Sequence, residues 1–423
     1  MRIPCLCTTA VGLLMAGGIG FAAAQTPPAG GNPPTDHMVP HVSTVPANKG
    51  EQVKLFVRER DGTHVDSSTF IDSGSAQRRA VLMLHGRSIP ALAGFDLDHD
   101  QYSWAGDLEQ AGFDVFVMDL QGSGRSPRPK MDDACNANPA QQSFLIPNPL
   151  SAACSPKYTS QLNNSQSDWD EVDTVVDYIR SLRGVQKVAL IGWSAAALQI
   201  GPYTLQHPEK VESVLFLAPI FPPNGRASKP GTRFDAPVPL PVSTPAAVFG
   251  FPMNIGTRNA FNSAWDREQH CPRQREAGII DVVWNAIMEN DAKGSQWGQP
   301  RGVMRIRNPF WWGWNSATVP LDGILGGSVP VLIVYGDLDT QANTAPDLGP
   351  QLYFSVPALY NAISGQKKLM FRVACTGHQM VWERQSKVLH RMSRQWIRDT
   401  AVDDFTSGSF LVNEDGEIGG LPH

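Results

Sequence analysis

The chain has 423 residues, 42% hydrophobic and 18% charged, with a formal net charge of −5. That composition suits a large buried core, and its acidic balance argues against a nucleic-acid partner. The length admits two or three average domains, or one α/β domain carrying an inserted cap.

Met1-Arg2 leads into an apolar run from Val11 to Ala24, ending Ala22-Ala23-Ala24 before Gln25. A basic start, a short apolar centre and small residues at the end predict a secretory signal peptide, residues 1–24, cut after Ala24. The run is short for a membrane span, and no other stretch could cross a bilayer. Cys5 and Cys7 lack the setting of a lipid-attachment cysteine. The expectation is therefore an exported protein, periplasmic or secreted, without membrane insertion and present as a monomer or homodimer.

Cleavage leaves Cys135, Cys154, Cys271 and Cys375. In an oxidising compartment an even count suggests two disulfides. Cys135 and Cys154 bracket one Asn/Pro/Ser-rich loop and are paired here, which leaves Cys271 for Cys375. Their spacing does not suit zinc, which needs close Cys/His pairs.

Residues 25–50 are rich in Pro, Gly and Thr and read as a mobile leader. Gln52–Arg58 largely alternates polar and apolar residues and precedes Asp61-Gly62, which predicts a strand and a hairpin turn, with a second edge strand near Ser67–Ile71. Ala80–Leu84, ending in His85-Gly86, is a central strand. Ser103–Ala111 reads as a helix ended by Gly112, and Phe113–Leu120 as the next strand. A polar loop over about 127–165 is followed by a helix, Asp168–Leu182, with acidic residues first and arginines last, as the helix dipole prefers.

Lys187–Ile200 holds the centre of the pattern. Val188–Gly192 is too short and β-rich for a helix, and an Ala-rich helix former begins directly after Ser194. A serine at such a junction sits on a sharp turn with its hydroxyl lifted clear, and Gly192 and Ala196 supply the small neighbours the turn needs. Further strands follow at Val214–Pro219, Val331–Gly336 and Lys368–Ala374, then a helix over Ser386–Arg398. The tail, 401–423, holds a small hairpin turning at Asp415-Gly416. Alternating strands and helices predict an α/β fold, a mostly parallel central sheet with helices on both faces. Residues 51–220 and 328–400 form this core. Residues 221–327, Pro-rich, then helical over Phe261–Asn290, then aromatic at Phe310–Trp314, break the rhythm between the sixth and seventh strands and read as a cap.

A serine nucleophile needs a base, an acid to orient the base, and donors for the oxyanion. In such a sheet these sit on loops at the carboxyl ends of strands. Those loops offer His378, in Cys375-Thr-Gly-His378, and Asp337 and Asp339, in Gly336-Asp-Leu-Asp339. Gly192-Trp-Ser-Ala-Ala196 resembles the G-x-S-x-G nucleophile elbow of the α/β-hydrolase family, with Ala in place of the second Gly, and the order Ser194, Asp339, His378 matches that family's. The resemblance covers roughly residues 51–400.

It implies a serine esterase with Ser194, Asp339 and His378 as catalytic triad, Asp339 being favoured over Asp337 by the family's G-x-x-D spacing. His85-Gly86 resembles the family's oxyanion loop, which gives the backbone N–H groups of Arg87 and Ala195 as oxyanion donors. Asp119–Ser126 resembles its D-x-x-G-x-G-x-S turn and is structural. The Asp96-Leu-Asp98-His99-Asp100 cluster reads as a solvated loop rather than a metal site, and neither metal nor cofactor is expected. Ser88, Trp193, Trp311 and Trp312 are candidates for binding an apolar or aromatic substrate group, although Trp193 could instead pack under the elbow and the cap tryptophans could form the cap's own core. The implied activity is hydrolysis of small-molecule carboxylic esters through an acyl-serine. A proline-iminopeptidase-like peptidase and a non-catalytic binding protein on the same fold remain as alternatives.

Overall fold

The computed structural model describes Met1 and residues 32–64, 79–158, 161–237, 251–349 and 352–419. The expected signal peptide beyond Met1, the first part of the expected leader and the expected edge strand near Ser67–Ile71 lie outside the described residues. One sheet of ten strands organises the rest: β1 (Thr35–Val42), β2 (Gln52–Arg60), β3 (Ala80–Leu84), β4 (Asp114–Met118), β5 (Val188–Trp193), β6 (Val211–Leu217), β7 (Val331–Gly336), β8 (Lys368–Val373), β9 (Gly408–Val412) and β10 (Ile418–Gly419). Their order across the sheet is β1-β2-β4-β3-β5-β6-β7-β8-β9-β10. From β4 to β9 neighbours run parallel, while β1 and β2 at one edge and β10 at the other run antiparallel.

The helices are α1 (Ala91–Phe95), α2 (Trp104–Gln110), α3 (Ser165–Arg183), α4 (Ala197–Gln206), α5 (Arg258–Asp266), α6 (Ile279–Glu289), α7 (Val356–Ala362) and α8 (Ser386–Asp399). Central strands β3, β4, β5 and β7 are buried at every position, as continuous Val/Ile/Leu runs require when both faces are covered. Helix ends follow local chemistry. Ser103 caps α2 by accepting from the Gly106 amide, Asn164 and Ser167 form a reciprocal box at the start of α3, and Gly184 ends α3 in the left-handed region at φ 63°.

Three expectations differ from the structure. Residues 35–42 of the expected leader form β1, paired along its whole length with β2. Pro40 is admissible there because an edge strand need not donate every amide to a ladder. Asp61-Gly62 is not a hairpin turn: Gly62 begins a 3₁₀ turn, and a Cβ on it would fall 2.5 Å from the Phe113 carbonyl oxygen, so the residue serves a close approach to β4. The expected helical stretch 261–290 resolves into α5 and α6, separated by a loop containing Cys271.

The segment between β6 and β7 carries α5, α6 and a two-stranded ribbon of Met253–Gly256 with Met304–Arg307. Its tryptophans dock it to the core. Trp314 packs on Phe216 of β6 and on Phe221, and it fills the space over Gly201 of α4. Disulfides join Cys135 to Cys154 and Cys271 to Cys375, with Cα atoms 5.4 and 5.6 Å apart. No helix among the described residues is long and apolar enough to cross a membrane.

The Gly201–Trp314 contact gives a test of the docking. A Cβ on Gly201 would stand 2.4–2.8 Å from three indole carbons. Overpacking of that kind costs about 1–3 kcal/mol, which exceeds the roughly 1 kcal/mol that Ala gains over Gly in a helix. Gly201→Ala is expected to lower the midpoint of chemical unfolding, and an unchanged or raised midpoint would show that the ring is not held there.

Candidate active site

Ser194 follows β5 and opens a 3₁₀ turn that runs into α4. Its φ is +60°, a left-handed conformation that costs a non-glycine residue about 1–2 kcal/mol. The turn survives because its neighbours are small. A Cβ on Gly192 would lie 2.6 Å from Ile200 Cδ1 and 3.1 Å from the Ala196 Cβ, so glycine at 192 makes the room that lets alanine occupy 196. Gly86 plays the same part across the site, since a Cβ there would lie 3.1 Å from Ser194 Cβ. The β3 loop therefore lies directly against the elbow.

The parallel strands bring three loops to one edge of the sheet. His378, after β8, places Nε2 2.8 Å from Ser194 Oγ. Its Nδ1 lies 3.0 and 3.1 Å from the two carboxylate oxygens of Asp339, after β7. Asp339 is buried and is held in turn by the amides of Gln341 and Ala342, which donate to Oδ1 at 2.9 and 2.8 Å. Asp337 faces elsewhere and accepts from the Thr376 amide at 3.5 Å. Ser194, His378 and Asp339 thus form one hydrogen-bonded chain.

A model of the α/β-hydrolase fold matches residues 79–383. The chain belongs to the α/β-hydrolase fold family. Similar solved structures include a serine hydrolase from the polyaromatic-hydrocarbon-degrading bacterium Cycloclasticus zankles (11% identity, 88% of this chain and 100% of that one, TM-score 0.45). They also include 2-hydroxy-6-oxo-6-phenylhexa-2,4-dienoate hydrolase from Rhodococcus sp. strain RHA1 (14%, 86% and 98%, TM-score 0.45) and naproxen esterase from Bacillus subtilis (14%, 86% and 92%, TM-score 0.41). No curated protein matches the sequence.

In this α/β-hydrolase the β3 loop is set by His85, whose Nε2 accepts from the Leu120 amide at 3.2 Å while Nδ1 bonds the Gly86 carbonyl. An accepting Nε2 fixes the neutral Nδ1–H tautomer, and burial lowers the pKa of this imidazole, so His85 holds the loop's shape. Asp119 ties the neighbouring turn, accepting from the amides of Ala91 and Arg125 at 2.9 Å each.

A cavity of about 370 Å³ opens over Ser194 and His378. Arg87, Ser88, Trp193, Ala195 and Trp311 line it. Trp193 also packs under the elbow. Its ring meets Trp382 edge-on at 5.2 Å, and its indole N–H donates to the His378 carbonyl at 3.1 Å. Trp312 does not line the cavity. Its ring packs on Trp169 of α3, and its N–H donates to the Phe234 carbonyl at 2.8 Å, so it belongs to the docking core. Ala260, Phe261 and Ala264 of α5 also line it, with Met304, Ile306 and Phe354, none of which the sequence singled out. The polar lining includes Arg87, whose guanidinium burial pulls down to about 10 with help from the Arg307 charge, and Arg307 itself, paired with buried Asp168 at 2.9 Å.

Two buried carboxylates behind His378 also escaped the sequence. Glu268, just beyond α5, and Glu383, just before α8, are both 0% exposed. The His378 imidazole responds to them. Burial lowers its pKa, but the charge and hydrogen bond of Asp339, with the charges of Glu268 and Glu383, raise it to a net value above 6.5. The prediction is an NMR titration midpoint for His378 above 6.5 that falls in Asp339→Asn; a midpoint below 6.5 in the unmodified protein would contradict the arrangement.

Proposed function

We propose that the protein is a serine hydrolase that cleaves carboxylic esters through an acyl-serine intermediate, with Ser194 as nucleophile. The observation that carries this reading is the chain of contacts Ser194 Oγ–His378 Nε2 and His378 Nδ1–Asp339. Neutral His378 takes the Ser194 proton as Oγ bonds to the substrate carbonyl carbon, and Asp339 steadies the imidazolium that forms. The carbonyl oxygen, now an oxyanion, is received by the backbone N–H groups of Arg87 and Ala195. His378 then passes its proton to the departing alkoxide oxygen, releasing the alcohol. Water, deprotonated by the same imidazole, attacks the acyl carbon; the Ser194–acyl bond breaks, Oγ regains the proton and the carboxylic acid leaves.

The segment between β6 and β7 acts as a cap whose α5 face, with Trp311, receives an apolar or aromatic part of the ester. That wall favours an apolar group because burial of such surface contributes roughly 25 cal/mol per Å². The peptidase alternative is less well supported. A peptidase that grips a free amino terminus needs carboxylates in its pocket, whereas the described residues lining this cavity include two arginines and neither Asp nor Glu. An exported location fits the two disulfides, which persist in oxidising compartments.

Hydrolysis of a series of p-nitrophenyl esters and amino-acid anilides tests the reading. Esters should be cleaved in preference to anilides, and those with bulky apolar groups faster than acetate. Ser194→Ala and His378→Ala should each lower kcat by about 10⁴-fold or more. Asp339→Asn should cost about 10⁴-fold, while Asp337→Asn should leave turnover near that of the parent protein. Persistent ester hydrolysis in Ser194→Ala would overturn the assignment. Activity should rise with pH along a limb set by His378 above pH 6.5, because its raised pKa keeps it protonated, and so unable to accept the serine proton, to higher pH.

A further inference from the structure

Glu268 lies in the segment between β6 and β7, far in sequence from both loops that carry the base and the acid. Its carboxylate nevertheless touches both. Oε2 accepts from the His378 backbone amide at 2.8 Å, and Oε1 accepts from the Thr340 amide at 3.0 Å and the Thr340 hydroxyl at 2.9 Å. Thr340 is the residue after Asp339, so one carboxylate clasps the residue next to the acid and the backbone of the base. The fit is close: a Cβ on Gly377 would lie 2.6 Å from Glu268 Oε2.

Two further links fasten the same stretch to the same loop. The Cys271–Cys375 disulfide joins the chain just after Glu268 to the loop just before His378. Glu383 accepts from the Gly377 amide at 2.8 Å and the Thr376 hydroxyl at 2.6 Å. It also accepts from Trp265 Nε1 at 2.7 Å and Gln274 Nε2 at 3.2 Å, both on the inserted segment. A buried carboxylate that accepts several hydrogen bonds fixes the groups that donate them, because releasing any one leaves a charge less well compensated in a poorly solvated place.

We propose that Glu268 is the positioning residue of the catalytic histidine, through which docking of the inserted segment sets the alignment of His378 and Asp339. The inference rests on the Ser194–His378 reading above. Glu268 does not line the cavity and acts on the reaction through the loops it holds. The charged groups that bear on the imidazole are Asp339, Glu268 and Glu383. Removing one negative charge lowers the His378 pKa and moves the acid limb of the pH profile to lower pH, an effect that a purely structural role would not produce.

The experiment compares kcat, KM and the pH dependence of kcat/KM for Glu268→Gln and the parent protein on one p-nitrophenyl ester. Glutamine keeps the shape but turns one acceptor oxygen into a donor facing an N–H group. The expected result is a kcat lower by roughly tenfold or more, the scale on which small misalignments act. KM should change little, and the acid limb should shift to lower pH. A kcat equal to the parent's, or a lower kcat with the acid limb unmoved, overturns the proposal. If Glu268→Gln does not fold, Thr340→Val removes one donor to the same carboxylate; a kcat several-fold lower at constant KM supports the clasp, and parental kcat overturns it. Ser194→Ala assayed in parallel separates the two ideas. An active Ser194→Ala enzyme defeats the underlying reading, whereas an inactive one beside an unaffected Glu268→Gln defeats only this inference.

Discussion

The backbone of Ser194, held at φ +60° between a fully buried strand and a helix, is the constraint on which the site depends. A left-handed serine costs free energy, so its surroundings must over-determine it. They do so through absences of bulk: Gly192 clears Ile200 and Ala196, and Gly86 clears the serine's own side chain. With the turn fixed, the hydroxyl stands at the carboxyl end of β5. His378 and the loop after β3 reach it there because parallel strands deliver all their carboxyl-end loops to the same edge.

The second constraint belongs to the proposed mechanism, in which the imidazole must stay aligned while its charge changes. Asp339 supplies the charge and the orientation, and it is itself fixed by two amides. The loop around His378 has no regular secondary structure to hold it. Its order comes from buried side chains instead: Trp193 on the His378 carbonyl, Glu268 on the His378 amide and Glu383 on the Gly377 amide. Two of these three come from outside the elbow, and one comes from the inserted segment. The cavity and the setting of the His378 loop are thus built partly from the same stretch of chain, since α5 lines the cavity and Glu268 lies just beyond its end.

How much of this was legible follows from the physics of each part. The central strands could be read because strands buried on both faces are continuous apolar runs, and the placement of Ser194, Asp339 and His378 because each lies on a loop just past the carboxyl end of a strand. The pairing of the cysteines was also readable, from their placement around one loop. Strand β1 was not, because only one of its faces is covered and Pro40 sits within it. Trp311 and Trp312 are adjacent and chemically identical; only the fold turns one toward the cavity and the other toward Trp169. Glu268 and Glu383 left no signal, since their partners lie across sequence separations as large as 118 residues, and a carboxylate near a helix end ordinarily reads as solvated.

The central claim is that Ser194 is a nucleophile activated by His378. Intact-mass and peptide mapping after treatment with a fluorophosphonate tests it most directly. The account predicts a single covalent adduct on Ser194, formed rapidly in the parent protein and slowly in His378→Ala. An adduct on another residue, no adduct, or equal labelling rates in the two proteins would contradict it.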